Sequence, residues 1–131
     1  MLPQADSGGV VYALGGLEGY TSPLSRALKP AWPALEFAAD SHRLSKEHET
    51  ALSNFLTGLG TNIETQRHLI VGHTPVDLPS GYARALSERR AQAVRHYLIE
   101  NGMPAGNLQS LGLGHDSAAG STGHRVIIYQ Q

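Results

Sequence analysis

The stretch LIVGHTPVDLPSGYARALSERRAQAVRHYL, residues 69–98, decides the fold. It opens with an apolar run that ends in GHT at residues 72–74, as expected of a strand covered on both faces. Further on, Leu86, Val94 and Leu98 recur at the spacing of one helix face. The stretch therefore predicts a buried strand, a loop with a proline, and a long helix.

The composition describes a folded and nearly neutral chain. It has 131 residues, 40% of them apolar, a net charge of −1 and no cysteine. A chain of this length folds as one domain without needing a metal or a disulfide. With so small a net charge the protein does not attract nucleic acid or anionic membranes electrostatically, and we expect neither as a partner. The lack of cysteine excludes thiol catalysis and cysteine-based zinc sites.

The other elements are predicted from apolar spacing and from helix stop signals. Strands are predicted in ALEFAA (34–39), RHLIVGH (67–73), LQSLGLG (108–114) and RVIIYQ (125–130), and helices after Ser45 up to Gly60 and from about Ala83 to Asn101. The order β-α-β-α-β-β predicts an α+β sandwich with the helices on one face of a mixed sheet. We expect this domain to span residues 34–131.

Residues 1–33 differ from the rest and are predicted to form an N-terminal extension. They hold the apolar run Val10 to Leu14 between glycines, and then a possible short helix within SPLSRALKPAWP, residues 22–33. An isolated apolar strand favours aggregation, so we expect the run to add a strand to the main domain or to dock on it.

Arg90 lies on the buried stripe of the long helix, four residues from both Leu86 and Val94. A guanidinium at this position must be paired, because an unpaired buried charge costs several kcal/mol. Two interpretations stay open. Arg90 is either a structural arginine at the helix edge or a ligand-binding residue whose guanidinium forms two hydrogen bonds to a ligand carboxylate.

The seven histidines form no metal-binding motif, so we expect surface or loop positions for them and no metal. Ser80, His73 and Asp77 are the ingredients of a hydrolase triad, but they lack its strand–elbow–helix setting. We therefore expect no catalytic residues, no cofactor and no enzymatic activity.

Taken together, these motifs resemble a known family, the OmpA-like C-terminal domain of the peptidoglycan-associated OmpA, Pal and MotB superfamily. The matching features are GHT (72–74), LSxxRAxxVxxxL (86–98), GLG (112–114), GHRVII (123–128) and LEFAADSHRLS (35–45). The resemblance covers residues 34 to 131. It implies a non-enzymatic, periplasmic module of the cell envelope, and we expect the chain to be an excised domain of a membrane-anchored or lipid-anchored protein.

The resemblance also implies a pocket for the diaminopimelate residue of the peptidoglycan stem peptide. In the family an aspartate after GHT takes the ligand ammonium and the LSxxRA arginine takes its carboxylate. Arg90 matches the arginine, whereas Pro75 and Ala83 replace the aspartate and an asparagine. Asp77 is two residues beyond Pro75 and would face the same side of an extended chain.

The ligand-binding residues implied in this way are Thr74, Asp77, Arg90 and Arg125. Gly123 and His124 replace an asparagine and an arginine of the family's last strand. The alternative is a degenerate domain that has lost peptidoglycan binding and acts as a scaffold in a secretion or envelope-spanning complex. We also expect neither position 75 nor position 83 to be a core position, so that restoring Asp and Asn there would raise affinity at little cost in stability.

Overall fold

The computed structural model describes residues 29–115 and 123–131. Its elements are β1 (Lys29–Pro30), β2 (Leu35–Glu36), α1 (Lys46–Leu59), β3 (His68–His73), α2 (Ser80–Glu100), β4 (Leu108–Gly112) and β5 (Arg125–Gln130), with 3₁₀ turns at Gly60–Glu64 and Ala105–Asn107. The α+β class and the predicted element order are confirmed, and β1 precedes that order as an additional short strand.

The strands form one mixed sheet in the order β1-β5-β3-β4, and β2 also pairs with β5. β3 and β4 are parallel, while β5 is antiparallel to β3, β1 and β2. β1 and β2 lie along the same edge of β5, because Lys29 faces Gln130 and Leu35 faces Val126. The edge is therefore a single strand interrupted by a bend.

Both helices pack on one face of this sheet. The hydrophobic core lies between the helices and the sheet. Its residues come from β2 and the position after it, both helices, the three long strands and the loop after α2: Leu35, Phe37, Leu52, Phe55, Ile70, Ala91, Val94, Leu98, Met103, Leu108, Val126 and Ile128. α2 approaches β3 and β4 closely. A Cβ on Gly72 would lie 2.1 Å from the carbonyl oxygen of Ser87, and one on Gly112 would lie 2.5 Å from the amide nitrogen of Glu88. The strand glycines thus permit the close contact of helix and sheet.

Local signals set the helix ends. Ser45 Oγ accepts a hydrogen bond from the amide of His48 at 3.1 Å, and His48 Nδ1 accepts one from the amide of Ser45 at 3.0 Å. Gly60 ends α1 with a φ of 55°, a conformation that glycine adopts readily. α2 begins at Ser80, three residues before the predicted start at Ala83. Its first three residues are exposed and so show no apolar periodicity.

The predicted strand Val10 to Leu14 and most of the predicted short helix lie outside the described residues. The described part of that helix, residues 29–33, forms β1 and a bend instead. The division between residues 33 and 34 stays a prediction. Within the described part of the chain, neither helix combines the length and apolarity required to span a bilayer.

Candidate functional site

The candidate site lies at the end of the sheet where β3 finishes and β5 begins. His73, the last residue of β3, pairs with Arg125, the first residue of β5. Thr74 follows directly, and its amide donates to the carbonyl oxygen of Gly114 at 2.8 Å. Arg90 reaches the same place from α2, where its Nη1 donates to the carbonyl oxygen of His73 at 3.5 Å. The topology thus brings together three of the four predicted ligand-binding residues.

The Arg90 guanidinium holds the loop that follows β2. Its Nε donates to the carbonyl oxygen of Ser41 at 2.7 Å, and its Nη2 donates to that of Ala38 at 2.9 Å. Its central carbon lies 5.3 Å from the centroid of the Phe37 ring, within the range of a cation–π contact. Burial lowers the pKa of Arg90, and the negative charge of Asp40 opposes that shift. The expected pairing of this buried charge is confirmed, and backbone carbonyls are its main partners.

The resemblance implies a ligand pocket at Arg90 and Thr74, but neither residue lines an open surface in this structure. Both residues have an exposed fraction of 0%. Arg90 is covered because it binds the loop of residues 38–41, and Thr74 is tied by its main chain to Gly114. The Thr74 hydroxyl has no hydrogen-bond partner among the described residues. Asp77, in contrast, is exposed.

Asp40 and Asp77 supply negative charge at this end of the sheet, and only Asp77 was predicted as part of the site. Asp40 accepts a hydrogen bond from the Tyr82 hydroxyl at 2.5 Å, which raises the pKa of the phenol. Burial lowers the pKa of His124 and the charge of Arg90 lowers it further, while Asp40 and Asp77 oppose the shift. The positive charge of Arg90 and the negative charges of Asp40 and Asp77 therefore lie within interaction range of His124, where β3 ends and β5 begins.

Sequence reasoning missed Asp40, Tyr82 and His124 as members of this cluster. Asp40 has a φ of 59°, in the left-handed region that aspartate enters more readily than most residues. An aspartate after two alanines, at the end of a predicted strand, was the available signal for such a turn. Tyr82 gave no signal, because its partner is distant in sequence.

Arg125 lies at the site but already has a partner. Its Nη2 is 3.0 Å from Glu36 Oε2, across the pair of β2 and β5, and its side chain is 38% exposed. Pairs of this exposed kind contribute about 0–1 kcal/mol to stability. The Arg125 guanidinium therefore remains available to a competing carboxylate at small cost.

The histidines were expected at surface or loop positions, which is wrong for His48, His68 and His73. Their exposed fractions are 7%, 0% and 0%. His48 completes the cap of α1, and its Nε2 lies 2.5 Å from the carbonyl oxygen of Glu36. His68 contacts the edge of the Phe55 ring, with centroids 5.3 Å apart. His48 and His68 therefore take structural roles that a motif search does not detect.

Neither a triad nor a metal cluster is assembled from the described residues. Ser80 Oγ lies 3.3 Å from the Nε2 atom of His115, on the surface, while His73 is buried. Across residues 29–115 and 123–131, no three histidine, aspartate or glutamate side chains are grouped closely enough to hold a metal ion.

Ala83 is a core position, contrary to the expectation stated above. Its exposed fraction is 0%. It lies in the first turn of α2 against Gly114, where an added Cβ would be 3.5 Å from the carbonyl carbon of Ala83. An asparagine at position 83 would bury an amide group in this contact, so the substitution is expected to be destabilising.

Two helices on one face of a mixed sheet, with a helix arginine buried at the end of the central strand pair, define the OmpA-like class of domain. The chain belongs to the OmpA family, whose family model matches residues 36–126.

Individual relatives agree with this assignment. The chain is 28% identical over 109 residues to the peptidoglycan-associated lipoprotein of Pasteurella multocida, covering 77% of this chain and 72% of that protein. It is 33% identical over 78 residues to the outer-membrane lipoprotein YfiB of Pseudomonas aeruginosa, covering 60% of this chain and 46% of YfiB. The crystal structure of the peptidoglycan-associated lipoprotein from Burkholderia pseudomallei superposes with a TM-score of 0.64 at 26% identity, covering 84% of this chain and 94% of that one.

Proposed function

We propose that this domain is a non-enzymatic module of the bacterial envelope that binds the peptidoglycan stem peptide weakly, through its diaminopimelate residue. In the periplasm it would hold a larger membrane-anchored or lipid-anchored protein near the wall. The observation that carries the proposal is that cationic and acidic side chains meet at this end of the sheet. The charge of Asp40 acts on Arg90, and Asp40 and Asp77 both act on the neighbouring His124. The relatives from Pasteurella and Burkholderia are named peptidoglycan-associated lipoproteins, which supports an association with peptidoglycan.

The chemistry fits because the free end of diaminopimelate carries both an ammonium and a carboxylate. Asp77 or Asp40 would accept the ammonium in place of the carboxylate that is missing at Pro75. Arg125 or Arg90 would bind the carboxylate, and Thr74 would shape the floor beneath it. Charge-assisted hydrogen bonds of this kind are the strongest that a zwitterion offers a protein.

The affinity is expected to be low for two reasons. Without a carboxylate at position 75, the ligand loses about 1–3 kcal/mol of binding free energy, or roughly 5- to 150-fold in affinity. In addition, Arg90 is fully buried beneath the loop of residues 38–41, so this loop must move before Arg90 can bind a ligand carboxylate. Binding to intact wall, where many sites are close together, would offset part of this loss.

The test is sedimentation of the domain with purified sacculi, followed by calorimetric titration with a diaminopimelate-containing muropeptide. We expect wild type to sediment, and the Asp77→Asn and Asp40→Asn double variant to sediment at least several-fold less. Glu64→Gln is the matched control, because it removes an exposed carboxylate in the 3₁₀ turn after α1, outside the site. A wild type that stays in solution with sacculi would overturn the proposal.

A scaffold function is the second candidate, and the closed state of Arg90 favours it. All three of the acceptors described for this guanidinium are main-chain carbonyls, and none of its surface is exposed. On this proposal the domain contacts other envelope proteins, in a secretion or envelope-spanning complex, rather than the wall. Failure to bind sacculi, together with crosslinking to an envelope protein in intact cells, would support it.

A further inference from the structure

The loop between β2 and α1 folds over the guanidinium of Arg90. Residues 38–41 supply two carbonyl oxygens to its nitrogens, at 2.7 and 2.9 Å, and three of these four residues are exposed. The loop is anchored at its ends by Phe37, in the core, and by Leu44, which packs against the core. Between the anchors the sequence AADSHR has no apolar side chain larger than alanine. Burial of apolar surface therefore contributes little to holding the loop, and such segments open locally at low cost in free energy.

A second contact from α2 holds the outer side of the same loop. The hydroxyl of Tyr82 donates to Asp40 Oδ1 at 2.5 Å. A hydrogen bond to a carboxylate is roughly twice as strong as one between neutral groups. In the part of the chain that the structure describes, Tyr82 and Arg90 are the residues of α2 that hydrogen-bond to residues 38–41. Tyr82 is 41% exposed, so a ligand in solution can reach this outer contact without any movement of the protein.

Buried polar atoms without hydrogen-bond partners lie beside the Arg90 guanidinium. Its Nη1 donates to the carbonyl oxygen of His73, and the next residue, Thr74, has a buried hydroxyl with no partner among the described residues. The Nδ1 atom of His124, a residue on which the charge of Arg90 acts, is likewise buried and unpartnered there. Folded proteins leave few buried polar groups unpaired, and the exceptions commonly mark the place of a water molecule, an ion or a ligand. The loop therefore covers polar groups that are able to bind a ligand carboxylate.

We propose that residues 38–41 form an autoinhibitory lid over Arg90, and that the hydrogen bond between Tyr82 and Asp40 is its latch. The identity of the ligand rests on the function proposed above. The two attachment points of the lid carry opposite charges, a cation at Arg90 and an anion at Asp40. A zwitterionic ligand offers a partner to each of them, a carboxylate to Arg90 and an ammonium to Asp40. The end of one diaminopimelate residue can therefore replace both of the contacts that keep the lid closed.

Tyr82→Phe tests the latch, because it removes the hydroxyl and keeps the ring. The amide of Ser41, which donates to the carbonyl oxygen of Ala38 at 3.2 Å, reports on the state of the lid. Its hydrogen exchange should become roughly 5- to 10-fold faster in Tyr82→Phe, while amides in the middle of α2 keep the wild-type rate. Tyr97→Phe is the matched control, because Tyr97 is on the same helix and its hydroxyl donates to the carbonyl oxygen of Glu49 in α1. This variant should leave the exchange of Ser41 unchanged.

A second experiment measures the accessibility of Arg90 without a wall ligand. Phenylglyoxal modifies accessible guanidinium groups, and peptide mass spectrometry distinguishes Arg90 from its exposed neighbour Arg89. Modification of Arg90 should be roughly 5- to 10-fold faster in Tyr82→Phe than in wild type, while the rate at Arg89 stays the same. Unchanged rates at Ser41 and Arg90 would overturn the lid. Equal acceleration in Tyr97→Phe would also overturn it, because a general loosening of α2 would then be the cause.

Calorimetric titration with a diaminopimelate-containing muropeptide separates the lid from the proposed function. Tyr82→Phe should bind several-fold more tightly than wild type, because its lid opens at a lower cost, and equal affinities would overturn the inhibitory role. If neither protein binds while Ser41 and Arg90 respond as expected, the lid is supported and the proposed ligand is wrong. Asp40→Asn does not replace Tyr82→Phe in this experiment, because it also removes a carboxylate proposed to bind the ligand ammonium.

Discussion

Arg90→Lys is expected to destabilise the domain by about 3 kcal/mol. Lysine keeps the charge but replaces the planar fork with a single ammonium, which cannot reach the carbonyl oxygens of Ser41, Ala38 and His73 together. Hydrogen bonds that involve a charged group contribute roughly 1.5–3 kcal/mol each, so losing two of them gives the stated value as a lower estimate. For a domain of this size the melting temperature should fall by roughly 10–20 °C.

The assay is urea unfolding of wild type and variant, combined with hydrogen exchange at the loop that Arg90 binds. The amide of Ser41 donates to the carbonyl oxygen of Ala38 at 3.2 Å, and this amide should lose its protection first. Arg89→Lys is the control, because Arg89 is the exposed neighbour on the same helix. If Arg90→Lys unfolds within about 0.5 kcal/mol of wild type and Ser41 stays protected, the carbonyl contacts do not stabilise the loop, since surface substitutions alone produce changes of that size.

Four further predictions concern stability and binding. Gly72→Ala should lower the free energy of chemical unfolding by more than about 3 kcal/mol, because the added Cβ would overlap the Ser87 backbone. Gly58→Ala has open space around the added Cβ and should instead stabilise α1 by about 0.5–1 kcal/mol. Burial, and then the charge of Arg125, lower the pKa of His73 to about 4, so below pH 6.5 the unfolded chain binds a proton that the folded chain does not. Unfolding measured against pH should therefore show stability falling from about pH 6.5 to about pH 4, with His73 contributing about 3 kcal/mol of the fall, and His73→Gln should remove that contribution. Ser45→Ala should cost about 1 kcal/mol of unfolding free energy through loss of the α1 cap, and a cost near zero would show that His48 holds this helix end alone. Pro75→Asp, made without a change at Ala83, should tighten muropeptide binding roughly 10-fold by calorimetry, and equal affinity in wild type would identify another residue as the ammonium partner.

A helix or strand was predictable from the sequence where one of its faces is buried and where capping or turn residues mark its ends. Leu52 and Phe55 of α1 have the predicted spacing and are buried, and Ser45 and Gly60 bound the helix as expected. The first turn of α2 was missed because residues 80–82 are exposed and show no periodicity. β1 was missed because two residues, one of them Pro30, carry no strand pattern, and only pairing with β5 makes them a strand.

The candidate site was less predictable, because its geometry depends on contacts between residues far apart in sequence. The position of Arg90 on the buried stripe correctly predicted a paired charge. Its partners could not be predicted, since Ala38 and Ser41 bind through main-chain oxygens that any residue supplies. The pairing of Asp40 with Tyr82 likewise joins a loop and a helix 42 residues apart.

The position of β5 in the sheet affects how the chain is made. β5 lies between β3 and the edge formed by β1 and β2, yet it is the last strand along the chain. During synthesis, β3 can pair with its parallel neighbour β4 before its antiparallel partner β5 is available. β5 contributes Ile127 and Ile128 to the two faces of the sheet. The sheet therefore closes only after residues 125–130 have left the ribosome. Until then the nascent chain has an incomplete core, the state in which a polypeptide is most exposed to chaperones and to aggregation.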